Sequence, residues 1–191
     1  SSTSVFASAP QPVVVAPTPE FYRWSFASMW TPGPFESKPT RAYYYLTDVE
    51  NGWPLERQTE HLLDYNLPTL WSVSIHEVYP GHFLHYQHLR KVTSKARKSI
   101  LFAPASFVEG WAVYSEKMMV DAGYLDNDPL FKLINLKWYL RVITNALMDQ
   151  AIHVDGMTRE DAMALMTVQG FQQDRRRDPR VRRTGLFPRP R

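Results

Sequence analysis

Four of the six histidines fall within 13 positions, at 76, 82, 85 and 88. The first opens the segment His76-Glu77-Val78-Tyr79-Pro80-Gly81-His82. Imidazole nitrogens suit a zinc ion, and a carboxylate beside a ligand can take a proton from water that the ion activates. A His-Glu pair with a second His one helical turn later is the zinc-hydrolase arrangement, but here the second His follows after six residues, not four. Six residues of regular helix turn through about 600°, which would point His76 and His82 roughly 120° apart. Pro80 and Gly81 lie between them. Proline removes a helical hydrogen bond and glycine allows unusual dihedrals, so a kink or bulge could return both rings to one ion. A His-rich surface helix would give the same text. The chain has no cysteine, so disulfides, thiolate zinc sites and Cys nucleophiles are excluded, and any metal must be held by His, Asp and Glu.

A second segment, Val108-Glu109-Gly110-Trp111-Ala112-Val113-Tyr114-Ser115-Glu116, reads as helix. Glu109, Val113, Glu116 and Val120 share one face at spacings of three and four. Carboxylates on a face shared with valines need a partner, because an unpaired buried charge is costly. A cation held from the preceding helix would serve, and so would Arg, Lys or solvent. A third pattern is a polar stripe: Lys137, Arg141, Asn145, Asp149 and His153 recur every four residues along an otherwise apolar helix. The stripe is either the wet face of that helix or the lining of a polar cleft. In the second case Asp149 orients His153, His153 stabilises an oxyanion, and Arg141 binds a substrate carboxylate.

These residues must be positioned by a mainly helical body. Candidate helices run over 56–65, 67–78, 81–98, 106–122 (closed by Gly123) and 130–153. A capping-box-like Thr158-Arg159-Glu160-Asp161 opens a short one towards Thr167. The long 130–153 helix is apolar almost all round, as expected of a helix buried in a larger assembly. The first 40 residues hold seven of the 15 prolines, which forbids helix there. Their aromatic content (Phe21, Tyr22, Trp24, Phe26, Trp30) argues for an extended arm packed onto the domain. Arg41–Thr47 reads as a strand at one edge of a small sheet. His61 and His88 read as surface residues.

The two motifs together resemble the bacterial family known as domain of unknown function 885, which is grouped with zinc metallopeptidases of the gluzincin type. Pro32-Gly33-Pro34-Phe35-Glu36, Leu140-Arg141 with Asn145, Asp149 and His153, and Gly170-Phe171-Gln172-Gln173 add to the likeness, which covers about residues 10 to 173. The resemblance implies a zincin-like catalytic domain fragment: mainly α, with an extended N-terminal arm and a small β element. It implies His76, His82 and Glu109 as zinc ligands and Glu77 as general base in a hydrolase, a peptidase acting on peptide or amide substrates through metal-activated water. His153 is a further catalytic candidate. Glu116, Tyr114, Arg141 and Asp149 are candidates for supporting the ligands or contacting substrate. His85 is the rival metal ligand, three residues from His82. The family's proteins are much longer, so this chain looks like their C-terminal, metal-binding part, on which a missing N-terminal region packs. The other reading is a truncated, non-catalytic fragment serving as a metal-binding or interaction module.

The organisation expected is an arm over 1–54, a helical metal-binding region over 55–173, and an Arg/Pro-rich tail over 174–191. At 191 residues with 44% apolar and 21% charged residues the chain can build a core, which argues against wholesale disorder. The tail holds eight arginines against Asp174 and Asp178, a net +6 that exceeds the chain's +3, so residues 1–173 carry −3. A solvated, disordered tail or a salt-sensitive anion-binding one fits that text, and the likeness to the family stops where it begins. No nucleic acid is expected to bind the body. No apolar run approaches the roughly 20 residues that span a bilayer. No export signal is visible, although relatives are often exported and a signal removed earlier would leave the same sequence.

Overall fold

The computed structural model describes residues 12–37 and 41–172, and the chain forms two compact units, Ser1–Phe131 and Lys132–Arg191. The Arg-rich tail lies outside the described residues. The fold is mainly helical with one small sheet.

In the first unit, strands β1 (Val13–Pro17), β2 (Ala27–Trp30) and β3 (Ala42–Leu46) form a sheet in the order β1–β3–β2. β1 runs parallel to β3 with Val13 opposite Ala42. β2 runs antiparallel to it with Met29 opposite Tyr44. The alternation of β3 is the period-two pattern of a half-buried strand: Ala42 and Tyr44 are buried, while Tyr43 and Tyr45 stack 5.5 Å apart on the other face. Two expectations are thereby corrected. The aromatic strand is central, not at an edge, and the supposed extended arm supplies both its neighbours. The reason is where the prolines fall. Pro12 and Pro17 bracket β1, and β2 occupies the proline-free stretch between Pro19 and Pro32, so no proline removes a hydrogen bond from the ladder's centre.

After the sheet, the described residues of this unit form α1 (Leu55–Asp64), α2 (Leu67–Glu77), α3 (His82–Arg90), the short α4 (Lys95–Lys98) and α5 (Ala105–Asp121). α1 buries His61, whose Nε2 lies 3.1 Å from the Thr47 carbonyl oxygen among the rings of Phe26, Trp53 and Tyr65. His61 is therefore a core residue, contrary to expectation. α2 begins at Asn66, whose side chain accepts a hydrogen bond from the Thr69 N–H. It docks on the sheet, where the hydroxyls of Tyr44 and Ser74 lie 3.0 Å apart, and it also meets β2 and α5. The helix expected over 81–98 breaks after Arg90. The β-branched Val92 and Thr93 follow, and Ser94 caps a new start by accepting from the Arg97 N–H. Arg90 ties the end of α3 to the 32–36 loop, donating to the carbonyls of Gly33 (2.7 Å) and Glu36. α5 ends at Gly123, whose φ of 77° is the left-handed conformation that glycine adopts freely.

The 25-residue α6 (Pro129–His153) is the longest helix among the described residues, and the second unit begins at its Lys132. Its buried positions are Phe131, Ile134, Asn135, Thr144 and Met148. Thr158 caps α7 (Arg159–Ala164) by accepting from the Asp161 N–H (3.1 Å) and donating to the Asp161 carboxylate (2.6 Å), so aspartate stands in for the usual Glu. α7 runs into one π-helical turn, Leu165–Gln169. Gly170 then packs against Thr144, and Gln172 donates to the Lys137 carbonyl. No helix among the described residues is long and apolar enough to cross a membrane.

Candidate metal centre

His76 lies in the last turn of α2 and His82 is the first residue of α3. The six-residue spacing is therefore resolved by a break between two helices. Gly81 sits in that break against the end of α2, and its N–H donates to the Ile75 carbonyl (3.0 Å). A Cβ there would lie 1.8 Å from the His76 carbonyl oxygen, so glycine is required by space. The approach brings the two imidazoles to 4.7 Å between centroids, at 89° to one another. α5 holds the junction in place: the Trp111 indole N–H donates to the carbonyls of Pro80 (3.0 Å) and Gly81 (3.3 Å). Small side chains allow this packing, for Ala112 and Ser115 on α5 and Ser72 on α2 are all buried.

The same helix presents Glu109, with Oε2 3.4 Å from His76 Nε2 and 3.5 Å from His82 Nε2. One ligand atom from each of the three residues lies within 4.8 Å of the others. Bonds of about 2.0–2.2 Å to one divalent ion need little further closure, and two imidazoles with one carboxylate match a zinc donor set that leaves a position open. Two turns along α5, Glu116 accepts from His76 Nδ1–H (2.8 Å) and from the Ser72 hydroxyl (2.9 Å). Since a carboxylate only accepts, His76 Nδ1 carries a proton, and Nε2 is turned towards Glu109.

The electrostatics follow from this crowding. Burial opposes charge on His76, but the hydrogen bonds it donates to the Glu109 and Glu116 carboxylates outweigh it and hold its pKa up at about 10. Its two imidazole neighbours pull Glu109 far below the usual carboxylate range, although its side chain is 61% exposed. Burial raises the pKa of Glu77 against the attraction of His76 and His82, and the Met29 N–H of β2 donates to its carboxylate. The triad, Glu77 and Glu116 thus occupy one locality.

The remaining candidates have surroundings of their own. His85 stands outside the triad: its ring packs on Tyr86, Phe107 and Trp111, and its Nδ1 is buried with no hydrogen-bond partner among the described residues. Tyr114 is exposed and packs on Trp111. Arg141, Asp149 and His153 all lie in the second unit. There His153 Nε2 is 3.5 Å from Asp149 with both side chains exposed, and Arg141 lies 5.0 Å from the Trp138 ring. Sequence reasoning missed Ser72, the Met29 N–H and the grip of Trp111 on the junction. Only the first left a trace, a polar residue one helical turn before His76.

The chain belongs to the family described as bacterial protein of unknown function (DUF885), whose profile matches residues 3–188. That match runs past Gln173, where the likeness was expected to end. No match was found among curated proteins. Among solved structures the chain is similar to a putative lipoprotein from Colwellia psychrerythraea, at 21% identity and a TM-score of 0.62. The similarity covers 94% of this chain and 29% of that one, so the chain spans less than a third of the relative's length. At that identity the two share a fold.

Proposed function

We propose that the chain carries the catalytic metal centre of a gluzincin-like zinc hydrolase that cuts peptide or related amide bonds. The observation behind this reading is the convergence of His76, His82 and Glu109 beside a buried Glu77. His76, His82 and Glu109 would hold the ion, and zinc supplies Lewis acidity there, polarising a carbonyl and bringing the pKa of water towards 7. Glu77 takes a proton from the attacking water and delivers it to the leaving nitrogen. Desolvation suits it to both steps, because a carboxylate with a raised pKa accepts a proton more readily than a fully solvated one and holds it long enough to deliver it. The Met29 N–H restrains the carboxylate, and Glu116 fixes the ring of His76.

The test is turnover of a mixed peptide pool by purified protein, with and without chelator, beside its zinc content. Glu77→Gln is expected to abolish hydrolysis and leave zinc content near normal; unchanged turnover would remove Glu77 from the mechanism. A metal-binding or interaction module without catalysis is the competing reading, and it predicts zinc without turnover. It is favoured by large apolar side chains left exposed on α6, with Leu133, Leu136 and Leu147 each more than half exposed. An N-terminal part of the parent protein would cover such a surface. The lipoprotein description of the structural relative supports a periplasmic or extracellular location.

A further inference from the structure

Ser72 occupies an interior position of α2, a place where serine is a worse helix former than alanine and usually bonds back to its own helix. It is 1% exposed, so its hydroxyl is shut off from bulk solvent. Its Oγ donates across the helix interface to Glu116 Oε2 at 2.9 Å, while the other oxygen of that carboxylate accepts from His76 Nδ1–H at 2.8 Å. The Glu116 side chain is only 13% exposed, and a carboxylate so enclosed is stable only where its oxygens find donors. A donor on each oxygen fixes the carboxylate plane. That plane in turn fixes which way the His76 ring faces and which nitrogen carries the proton.

We infer that Ser72 is a positioning residue of the metal centre, acting through Glu116 to hold His76 Nε2 in the direction of Glu109 and His82. The inference rests on the proposed metal site. The alternative role for a small buried residue is to let α2 and α5 approach, and alanine would meet that need as well or better. The two roles therefore part at Ser72→Ala. Loss of the hydroxyl strips one oxygen of Glu116 of this donor and frees the carboxylate to turn. Changes to such outer partners cost metal affinity by about 10- to 100-fold, and a partner one step further out belongs at the lower end, about tenfold.

The experiment measures zinc affinity by competition with a chromophoric chelator for the full chain and for Ser72→Ala, Glu116→Ala and the double variant. Thermal melts of the metal-free proteins establish that each is folded. The expected result is stoichiometric zinc on the full chain and about tenfold weaker binding for Ser72→Ala. In the Glu116→Ala background, Ser72→Ala should bring no further loss of zinc affinity, because the route from the serine to His76 runs through Glu116. Ser72→Ala binding zinc as tightly as the full chain, or weakening it equally in both backgrounds, would overturn the inference and leave the metal site standing. A full chain that binds no zinc would overturn the metal site itself, and the role of Ser72 with it.

Discussion

Gly81→Ala is the most direct test of how this fold makes its site. The φ of Gly81 is negative, −71°, so the argument is one of space. The added Cβ would lie 1.8 Å from the His76 carbonyl oxygen, 2.4 Å from the His76 carbonyl carbon and 2.4 Å from the Ile75 carbonyl oxygen. Ordinary contact begins at 3.4 Å, so the chain must open by about 1.6 Å. All three obstacles are backbone atoms of the last turn of α2, which no side-chain rotation can clear. That turn carries His76 and Glu77, and the residue that must retreat precedes His82. Metal–ligand bonds tolerate about 0.2 Å, so a displacement of this size removes His82 from any ion held by the other two. We expect zinc affinity to fall at least about 100-fold and the metal-free protein to lose about 1–3 kcal/mol from overpacking. Chelator competition and denaturant unfolding measure the two. Zinc binding within twofold of the unmodified chain would refute the claim that this close approach places His82.

Gly110 offers the contrast, for nothing lies within 4 Å of a Cβ built there; Gly110→Ala in the interior of α5 is expected to stabilise by about 0.5–1 kcal/mol with zinc affinity unchanged, read by the same two assays. Glu109→Ala and His76→Ala are each expected to lower zinc occupancy where Glu77→Gln does not, as metal analysis after desalting would show. Zinc binding should strengthen with pH: the folded pKa of His76, about 10, lies above its unfolded value of about 6.5, so a proton must leave before the ion can bind. Apparent affinity should rise up to about tenfold per pH unit between pH 6.5 and 10, and a flat profile over pH 6.5–8 would exclude a protonated His76. The sign for the metal-free fold is opposite, its His76 contribution being complete below pH 6.5 and lost as pH rises through 10, which urea midpoints would record.

The converging triad was readable because its residue types are rare in combination: a His-Glu pair, a second His, and a Glu on the next helix. What the sequence obscured was the geometry. A six-residue spacing is wrong for one helix, and only the contact of Gly81 with the backbone of α2 shows that it is right for two. The sheet was hidden for a different reason. Proline density in the first 40 residues argues against regular structure, yet proline's cost depends on which hydrogen bond it removes, and here it falls at strand ends. His61 was misread because histidine is as often exposed as buried, and its burial depends on Trp53, Phe26 and Tyr65 arriving from three different segments. The stripe on α6 was visible as a period, but a period alone does not say what its polar side faces.

α5 does three things to one junction. Glu109 meets both imidazoles, Glu116 orients one of them, and Trp111 with Ser115 reaches the Pro80 carbonyl oxygen between them. An unpaired buried carbonyl costs about 1–3 kcal/mol, so the indole N–H stabilises the very conformation that brings His82 to His76. Without an ion, a positively charged His76 between Glu109 and Glu116 keeps the cluster from being a pair of unpaired acids. The proton holds the place of a cation, and the geometry it preserves is the one a divalent metal would need.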